Sequence, residues 1–377
     1  MKKITFLLLH LNYGGLEKQT VTLINELAKT KEYKIEVISV YNMLKGKSFY
    51  KLDKSVDVKF LADFGPNHKA FYYALKHFRL IKLLKESFFM IKCGIYKNFV
   101  LKKYIKKLDT DIIISSRIEF SKLIKRRDTL NISQEHSYIN SKKYINKVRK
   151  NFKNIDKIIV MTNKAKEEYQ KWLKNSNSNA KVFVIPNMLE ETNINNFAKF
   201  KNKTIISVGR LEKEKDFLTL LDVFKIINDK YSDVKLKIVG EGLQRKEIEE
   251  KIYNLKLKDS VSLTGRVSSQ KVQEEMSTSS VFVLTSLCES FSLVLCEAME
   301  IGLPCVSFNI DVGPKEIIQN GINGYLINNR NIENMASCIE NLLTDEDEWN
   351  KISQNSIKSV KKYYSTNVVN EWKKLFH

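Results

Sequence analysis

The sequence is poor in proline, glycine and cysteine. Its 377 residues include 4 Pro and 13 Gly, so each of them that marks a turn is informative. Low-complexity tracts, fixed-period repeats and long Ser/Gly linkers are absent, which argues against a disordered or a repeat protein. The 5 Cys form an odd set without a CxxC pair. This pattern predicts reduced thiols in a cytoplasmic protein and argues against a zinc or disulfide framework.

Long hydrophobic runs are also missing. Nowhere do roughly 18 apolar residues follow one another, the length that a transmembrane helix needs. The first segment, MKKITFLLLHLNYGG, begins like a signal peptide, but its apolar run is only about six residues and no small-residue cleavage site follows. We therefore interpret it as a first buried strand.

Positive charge is what the chain has in excess, with a net charge of +21. Nucleic acid and anionic membranes are the usual partners of such a surface. The high content of Lys, Asn and Ile also suggests an AT-rich genome. Charge alone therefore does not decide between these partners.

Short apolar runs alternate with helical stretches, and this alternation predicts an α/β protein with parallel sheets. The chain is 43% hydrophobic, enough for two domains with separate cores. The predicted strands are 4–10, 34–40, 56–61, 111–116, 131–136, 157–162, 182–187, 204–210, 235–242, 261–265, 281–286, 304–308 and 324–327. The predicted helices are 16–29, 70–107, 163–174, 216–231, 243–256, 293–301, 331–343 and 346–363.

An Asn-rich segment without apolar periodicity, 188–203, predicts the linker between the domains. It separates an N-terminal domain, 1–187, from a C-terminal domain, 204–360. We expect two Rossmann-like halves that face each other across a cleft at the carboxyl ends of their strands, where open α/β sheets bind ligands.

Two carboxylates, Glu289 and Glu297, stand out in the segment CESFSLVLCEAMEIGLP. A helix that starts near Ser292 would contain Glu297 and leave Glu289 on the preceding loop, so both could face one ligand. The helix N-terminus would offer backbone N–H groups and a positive dipole end to an anion. By spacing alone, two incidental acids on a solvated helix are the commoner explanation.

Two further segments carry residue types that suit a phosphorylated ligand. SVGRLEKEKD places Arg210 and Lys215 in a loop that leaves a strand, where a planar guanidinium and a compact ammonium can hold phosphate oxygens. FNIDVGPKEIIQNGINGYLI places Gly313 and Pro314 before a short helix, where a glycine allows close backbone approach. Each segment taken singly is also explained by surface charge or by an ordinary turn.

The order of these segments matches a known arrangement. GRLEKEKD, the Glu289–Glu297 pair, GLP at 302–304 and GPKEIIQNGINGYLI, with GGLE at 14–17 and EHS at 135–137, resemble the retaining nucleotide-sugar glycosyltransferases of the GT-B fold, the family 4 group. The resemblance covers essentially the whole chain and is strongest over 204–327. It also implies that a C-terminal helix in 361–377 returns to the N-terminal domain.

The resemblance implies a diphosphate site made by both domains. Arg210 and Lys215 would hold the donor diphosphate, and backbone amides after Gly14 and Gly15 would lie against it. Fixed cations neutralise the leaving diphosphate without reorganising, which suits this reaction. For the two glycines, an ordinary strand-to-helix turn remains the alternative.

The resemblance also implies a sugar site. Glu297 would accept hydrogen bonds from the ribose hydroxyls, and Glu289 would bind the transferred sugar and stabilise the positive charge that develops at its anomeric carbon. His136 would lie near the sugar or the acceptor, unless it is a structural histidine. The other predicted donor contacts are Ser290, Phe291, Ser292, Leu293, Gly313 and Pro314. Ser290 and Ser292 stand where the family usually has glycine, a change that costs little if φ is negative there.

The activity implied is transfer of a hexose or N-acetylhexosamine from a UDP-linked donor to a glycan or lipid-linked acceptor, in cell-surface polysaccharide assembly. No second carboxylate is poised as a nucleophile, so the resemblance implies same-face attack with the leaving phosphate oxygen assisting deprotonation. The sequence has no DxD pair where a metal-bridged diphosphate would need one. We therefore expect neither a metal nor another cofactor besides the nucleotide-sugar co-substrate.

Residues 69–107 hold eleven Lys or Arg and a single acid, Glu86, interleaved with Phe, Tyr, Leu and Ile. Such a basic amphipathic segment is typical of elements that lie on anionic membranes, and it predicts a peripheral location on the inner face of the plasma membrane. A helix packed on the sheet with a solvated basic face explains the pattern equally well. Nucleic acid is not expected, because stacking motifs, helix-turn-helix patterns and zinc spacings are absent.

Three other functions compete with a glycosyltransferase. An NAD-dependent oxidoreductase needs GxGxxG after the first strand, and the chain has Gly14–Gly15–Leu16–Glu17 there. A GT-B phosphorylase is usually far longer and depends on pyridoxal phosphate. The main alternative is a non-catalytic basic scaffold that binds membrane or nucleic acid, against which the intact acidic and basic motifs argue.

Overall fold

The computed structural model describes residues 1–136, 138–174, 176–191, 197–200 and 203–377, without the side chains of residues 68 and 69. The chain divides into two compact units. The first contains 1–161, 165–188 and 369–377, and the second contains 162–164 and 189–368. In the predicted linker, residues 192–196 and 201–202 lie outside the described residues, as does Ser137 of the EHS motif.

A seven-stranded parallel sheet forms the first unit. Its strands are β1 (Lys2–Leu8), β2 (Tyr33–Tyr41), β3 (Asp57–Ala62), β4 (Ile112–Ser115), β5 (Leu130–Gln134), β6 (Lys157–Val160) and β7 (Lys181–Val184). They are arranged in the order β3-β2-β1-β4-β5-β6-β7. In β1, Ile4 and Phe6 and also the intervening Thr5 are fully buried, because the sheet is covered on both faces.

The helices in this part of the chain are α1 (Gly15–Lys29), α2 (His68–Lys76), α3 (Leu80–Ile105), α4 (Ile118–Ser121), α5 (Lys142–Asn151) and α6 (Asn163–Leu173). The predicted single helix over 70–107 is wrong. Phe78 has a φ of 51°, and this left-handed conformation ends α2 before α3 begins. Sequence patterns also missed α4, which is a single turn, and α5, whose Lys-rich sequence KKYINKVRKN contains few apolar residues.

A six-stranded parallel sheet forms the second unit. Its strands are β8 (Thr204–Val208), β9 (Lys235–Val239), β10 (Val261–Gly265), β11 (Val281–Leu284), β12 (Cys305–Phe308) and β13 (Tyr325–Ile327). They are arranged in the order β10-β9-β8-β11-β12-β13. The helices are α7 (Phe217–Lys230), α8 (Arg245–Asn254), α9 (Ser269–Ser277), α10 (Leu293–Glu300), α11 (Pro314–Ile317), α12 (Ile332–Thr344) and α13 (Glu346–Val360).

A last helix, α14 (Ser365–Leu375), carries the chain from the second unit into the first. Within the first unit, Phe376 is 2% exposed and its ring centroid lies 5.4 Å from that of Tyr33. Lys2 Nζ donates to the carbonyl oxygen of Phe376 at 2.6 Å. The end of the chain is therefore anchored to the first unit.

Two parallel sheets flanked by helices confirm the predicted α/β class with two Rossmann-like halves. Within the described ranges, no helix combines the length and the apolar character needed to cross a bilayer.

Candidate active site

The donor-site residues predicted in the second unit lie near the middle of its sheet. β8 pairs with β9 on one side and with β11 on the other, so the order of strands reverses between β8 and β11. Open parallel sheets bind ligands outside the carboxyl ends of the strands at such a reversal. The loop after β8 carries Arg210 and Lys215, and the loop after β11 carries Glu289.

Lys215 and Glu289 form an ion pair. Lys215 Nζ donates to Glu289 Oε1 at 2.5 Å, and Ser286 Oγ donates to the same oxygen at 2.8 Å. The side chains of Lys215 and Glu289 are 17% and 9% exposed, so the pair is largely shielded from water. A cation of the type that binds phosphate and a carboxylate of the type that binds hydroxyls are thus in direct contact.

Arg210 lies differently. Its side chain is 72% exposed and pairs with Glu214 on the same loop. The structure therefore brings Lys215, and not Arg210, into contact with Glu289. An exposed guanidinium keeps its rotamer freedom, so Arg210 can reorient toward a phosphate.

The loop after β8 is held by a residue that the sequence motifs did not single out, Arg330. Its Nη2 pairs with the Asp216 carboxylate and donates to the carbonyl oxygen of Thr285 at 3.0 Å. Nη1 donates to the carbonyl oxygen of Ser286 at 3.1 Å, and the guanidinium carbon lies 4.2 Å from the ring centroid of Phe308. Arg330 thus joins the two loops that carry Lys215 and Glu289. It follows β13 in an Asn-rich turn in which both Asn329 and Arg330 have a positive φ, and no local sequence signal marks it.

Gly313 is required by close contact with the Glu289 loop. A Cβ at this position would lie 2.7 Å from Glu289 Cβ, and its φ of 97° also favours glycine. Pro314 is buried and opens α11 at the first helical position. The two motif segments, far apart in sequence, therefore meet in the structure.

Ser292 corrects an expectation about backbone conformation. It caps the N-terminus of α10 with a φ of 75°, so it occupies the left-handed region where glycine is favoured. Its Oγ is buried and, among the described residues, has no hydrogen-bond partner. The replacement of glycine by serine is therefore strained here.

The remaining predicted donor-site residues around α10 differ in their exposure to solvent. Phe291 is buried and packs edge-on against Tyr363 with centroids 5.2 Å apart, so only its backbone can meet a ligand. Ser290 and Leu293 are half-buried on either side of the helix start. Glu297 is half-buried within α10 and Glu289 lies on the loop before it, which is the arrangement that the sequence predicts.

In the first unit, Gly14 and Gly15 follow β1 and begin α1. A Cβ on Gly14 would lie 2.0 Å from Glu17 Oε2, whereas a Cβ on Gly15 would meet nothing within 4 Å. A side chain at Gly14 would thus displace the Glu17 carboxylate, whereas one at Gly15 would displace nothing. Glu17 is 4% exposed, and its Oε1 accepts from Arg117 Nη2 at 3.3 Å and lies 3.5 Å from His10 Nδ1. Arg117 follows β4, the strand beside β1, so tertiary pairing of distant loops forms this cluster.

His136 follows β5 in the same unit. Desolvation by burial and the positive charge of Arg117 lower its pKa to about 4, so the imidazole is neutral at pH 7. Its Nε2 is shielded from water and has no hydrogen-bond partner within the described part of the chain. A neutral imidazole with an unsatisfied nitrogen is suited to hydrogen bonding with a hydroxyl.

Glu135, next to His136, lies in a buried polar network. Ser133 Oγ donates to one carboxylate oxygen at 2.7 Å and the Tyr144 hydroxyl donates to the other at 3.0 Å. Burial raises the pKa of Glu135 to about 7, against the opposing hydrogen bonds. This network fixes the loop that carries His136.

The predicted basic segment is mostly exposed. Of the 26 residues of α3, Cys93, Leu101 and Ile105 are buried, whereas five apolar residues spaced three or four apart are between 61% and 71% exposed. We call these five the α3 stripe: Leu84, Phe88, Ile91, Ile95 and Phe99. One face of α3 packs on the core of the first unit through Cys93, Leu101 and Ile105, with Phe89, Tyr96 and Tyr104 beside them. The expectation of a packed helix therefore holds for that face, whereas the α3 stripe is a second apolar face that stays exposed.

No cluster of three or more His, Cys, Asp or Glu side chains suited to a metal occurs in the part of the chain that the structure describes. Independence of metal remains a prediction, because a metal can be held by substrate phosphates with few protein ligands.

The chain is similar to a known protein family and, over most of its length, to individual proteins. A family model described as glycosyl transferases group 1 matches residues 190–359. An uncharacterized glycosyltransferase of Haemophilus influenzae is 30% identical over 382 residues, which cover 99% of this chain and 99% of the relative. The chain belongs to the group 1 glycosyl transferases.

Other similar proteins have more specific names. A Campylobacter jejuni relative is 28% identical, over 100% of this chain and 98% of its own. It is named as an α-1,4-N-acetyl-D-galactosaminyltransferase that acts on a diNAcBac-PP-undecaprenol-linked disaccharide. Staphylococcus aureus TarM, solved with fondaparinux, α-GlcNAc-glycerol and UDP, has a TM-score of 0.77 at 17% identity over 100% of both chains. Anabaena HepE, solved with UDP, has a TM-score of 0.75 at 16% identity over 99% of both chains.

These findings confirm a glycosyltransferase of the GT-B fold and family 4 type, related to enzymes of bacterial glycan synthesis. The predicted transferase class is confirmed as well. The roles of individual site residues, the UDP donor and retention of configuration remain predictions.

Proposed function

We propose that this glycosyltransferase moves a hexose or N-acetylhexosamine from a UDP-sugar to a glycan or lipid-linked acceptor, with retention, in cell-surface polysaccharide assembly. The observation that carries the proposal is the shielded Lys215–Glu289 pair, in contact with the Gly313 loop at the strand reversal of the second unit. The names of the C. jejuni relative, which include PP-undecaprenol, and the UDP in the TarM and HepE structures support the substrate classes.

The proposed roles follow from the contacts. Lys215 and a reoriented Arg210 hold the diphosphate and neutralise it as the glycosidic bond breaks. Glu289, already oriented by Ser286, accepts from sugar hydroxyls and stabilises the positive anomeric carbon. Glu297 accepts from the ribose. The leaving phosphate oxygen takes the acceptor proton on the same face.

In the first unit, the proposal gives the Gly14 turn and His136 the remaining tasks. Backbone amides of this turn approach the diphosphate closely because Gly14 and Gly15 carry no side chain. The neutral His136 donates or accepts a hydrogen bond at a sugar or acceptor hydroxyl.

The experiment that tests donor binding is a melting-temperature panel with UDP-, GDP-, ADP- and dTDP-sugars, with and without EDTA. Binding to the folded state raises the melting temperature by mass action. We expect a response to a UDP-sugar that EDTA does not change and that Lys215→Ala abolishes. Glu250→Gln, an exposed residue on α8, is the control and should respond as the wild type does. Failure of all four donors to shift the wild-type melting temperature contradicts the proposal.

We propose further that the protein works as a peripheral protein on the cytoplasmic face of an anionic membrane. The α3 stripe supports this, because exposed apolar patches mark interaction surfaces and lysines surround this one. Sedimentation with phosphatidylglycerol vesicles should show binding that falls as salt rises. Equal recovery with neutral phosphatidylcholine vesicles at every salt concentration contradicts electrostatic docking.

A further inference from the structure

An open cavity of about 820 Å³ lies in the first unit, between α3, α4 and α5. Six lysines line it, against a single acid, Glu119, among the described lining residues. The lysines are Lys97, Lys102, Lys122, Lys143, Lys147 and Lys150. We call it the lysine cavity. None of the residues predicted for the donor site lines it.

The charges of the lysine cavity are not balanced. Lys147 pairs with Glu119, and this contact lowers the pKa of the Glu119 carboxyl, although burial alone would raise it. One acid can compensate only one of six lysines. Burial lowers the pKa of Lys97; Glu119 opposes this, whereas Arg117 and Lys147 add to it. Bringing so many ammonium groups together costs free energy that a polyvalent anion would recover.

An apolar surface adjoins the cavity. Ile95 and Phe99 line it, are 67% and 68% exposed, and form the C-terminal end of the α3 stripe. The stripe continues along the same helix through Ile91 and Phe88 to Leu84. Positive charge and exposed hydrocarbon are therefore contiguous, which is the complement of an anion attached to a lipid chain.

We propose that the lysine cavity binds the phosphate or diphosphate group of a lipid-linked acceptor, whose hydrocarbon chain enters the membrane along the α3 stripe. This inference rests on the proposed function and gives its acceptor a site. Ammonium groups bind phosphate oxygens through short charge-assisted hydrogen bonds, and several lysines can share one diphosphate. The cavity thus selects acceptors by their charged linker, separately from the recognition of the donor.

The test compares vesicles of equal surface charge. Phosphatidylcholine vesicles are doped either with farnesyl diphosphate or with phosphatidylglycerol, and binding of the full chain is measured by sedimentation. We expect a preference of about tenfold or more for the diphosphate vesicles, because two or more charge-assisted hydrogen bonds distinguish a cavity from a diffuse surface. Equal binding to both kinds of vesicle overturns the proposal.

Matched variants locate the effect. Lys97→Gln with Lys102→Gln removes two charges from the cavity, and Lys92→Gln with Lys103→Gln removes two charges from exposed positions of α3 outside it. The first double variant should lose the preference for diphosphate, whereas the second should weaken binding to both vesicles equally. Lys97→Arg with Lys102→Arg keeps both positive charges and should keep the preference. This control shows that the glutamine pair loses the preference because it loses charge. Loss of preference in the Lys92/Lys103 pair overturns the assignment.

Three further readouts separate this proposal from others. Inorganic pyrophosphate alone should compete only weakly with the diphosphate vesicles, and full competition would assign the cavity to a free phosphate. If the wild type dimerises through α3 and binds no vesicle, the occupant is a second copy and the proposal fails.

UDP-sugar melting shifts should be the same in all variants. If the wild type binds no UDP-sugar, the proposed function fails, but the vesicle measurement still tests whether the lysine cavity binds a diphosphate.

Discussion

Two helices rich in Leu, Ile and Phe, α3 in the first unit and α7 in the second, have opposite environments. They also differ in charge, since α3 carries six Lys and one Glu, whereas α7 carries two Lys and two Asp. In α7, 14 residues long, the buried positions are Phe217, Leu220, Leu221, Val223, Phe224 and Ile227. In α3, 26 residues long, they are Cys93, Leu101 and Ile105. Helix α7 therefore buries its apolar surface in the core of the second unit, whereas α3 leaves a comparable surface in contact with water.

The buried apolar surface of α7 stabilises the fold, whereas the exposed α3 stripe is available to bind a partner. Burying one large apolar side chain stabilises a protein by about 1.5–3 kcal/mol, so leaving the five residues of the α3 stripe exposed forgoes a large contribution. Such a surface indicates an interaction that folding alone does not satisfy. The predicted chemistry, in contrast, lies on loops that the second sheet positions rigidly.

The largest expected effect separates the two regions functionally. Glu289→Gln should lower kcat by about a thousandfold, because a neutral amide cannot stabilise the developing positive charge. Binding to phosphatidylglycerol vesicles should not change, since Glu289 lies in the second unit. Initial-rate kinetics and sedimentation check the two halves of this prediction. A rate close to the wild type removes Glu289 from the chemistry.

The second prediction compares the same change, Phe to Ala, in each of the two helices. Phe224→Ala, at a residue 1% exposed, should lower the free energy of unfolding by about 3–5 kcal/mol. Phe88→Ala, at a residue 71% exposed, should change it by less than about 0.5 kcal/mol but weaken vesicle binding. Urea unfolding gives both free energies. Similar destabilisation by the two variants would mean that Phe88 is buried in solution.

The third prediction concerns the buried carboxyl of the first unit. The pKa of Glu135 is about 7 in the folded chain against an ordinary value of 4.5, so the folded state binds the proton more tightly. Stability should fall as pH rises from 4.5 to about 7, because the unfolded state ionises first, and should level off above that. Melting temperatures of Glu135→Gln should exceed the wild type at pH 8 by more than at pH 4. A gap that does not grow with pH contradicts the shifted pKa.

The smallest effect concerns the strained serine of the donor loop. Ser292→Gly should raise the free energy of unfolding by about 1 kcal/mol, since glycine adopts a positive φ without strain. Ser290→Gly, where φ is not positive, should lower it by about 0.5–1 kcal/mol because glycine makes the unfolded chain more flexible. Thermal unfolding distinguishes the two signs. Destabilisation of both variants alike would contradict the left-handed conformation of Ser292.

Sequence patterns predicted the sheets well. Each predicted strand corresponds to an observed one with ends shifted by a few residues, because runs of Ile and Val covered on both faces leave a strong local signal. The break between α2 and α3 was missed, since a single non-glycine residue, Phe78, adopts the left-handed conformation there. Nothing in the local sequence marks such a choice.

The sequence by itself determined the α/β class, the family resemblance and the segments that carry Lys215, Glu289 and Gly313, because these depend on local periodicity and on contiguous motifs. Only the tertiary structure decided which of them touch. It joined Lys215 to Glu289, placed Arg330 between their loops and brought α3, α4 and α5 together around six lysines. Contacts between residues 44 to 114 positions apart depend on how strands order within a sheet, and that order is fixed by packing of the whole unit.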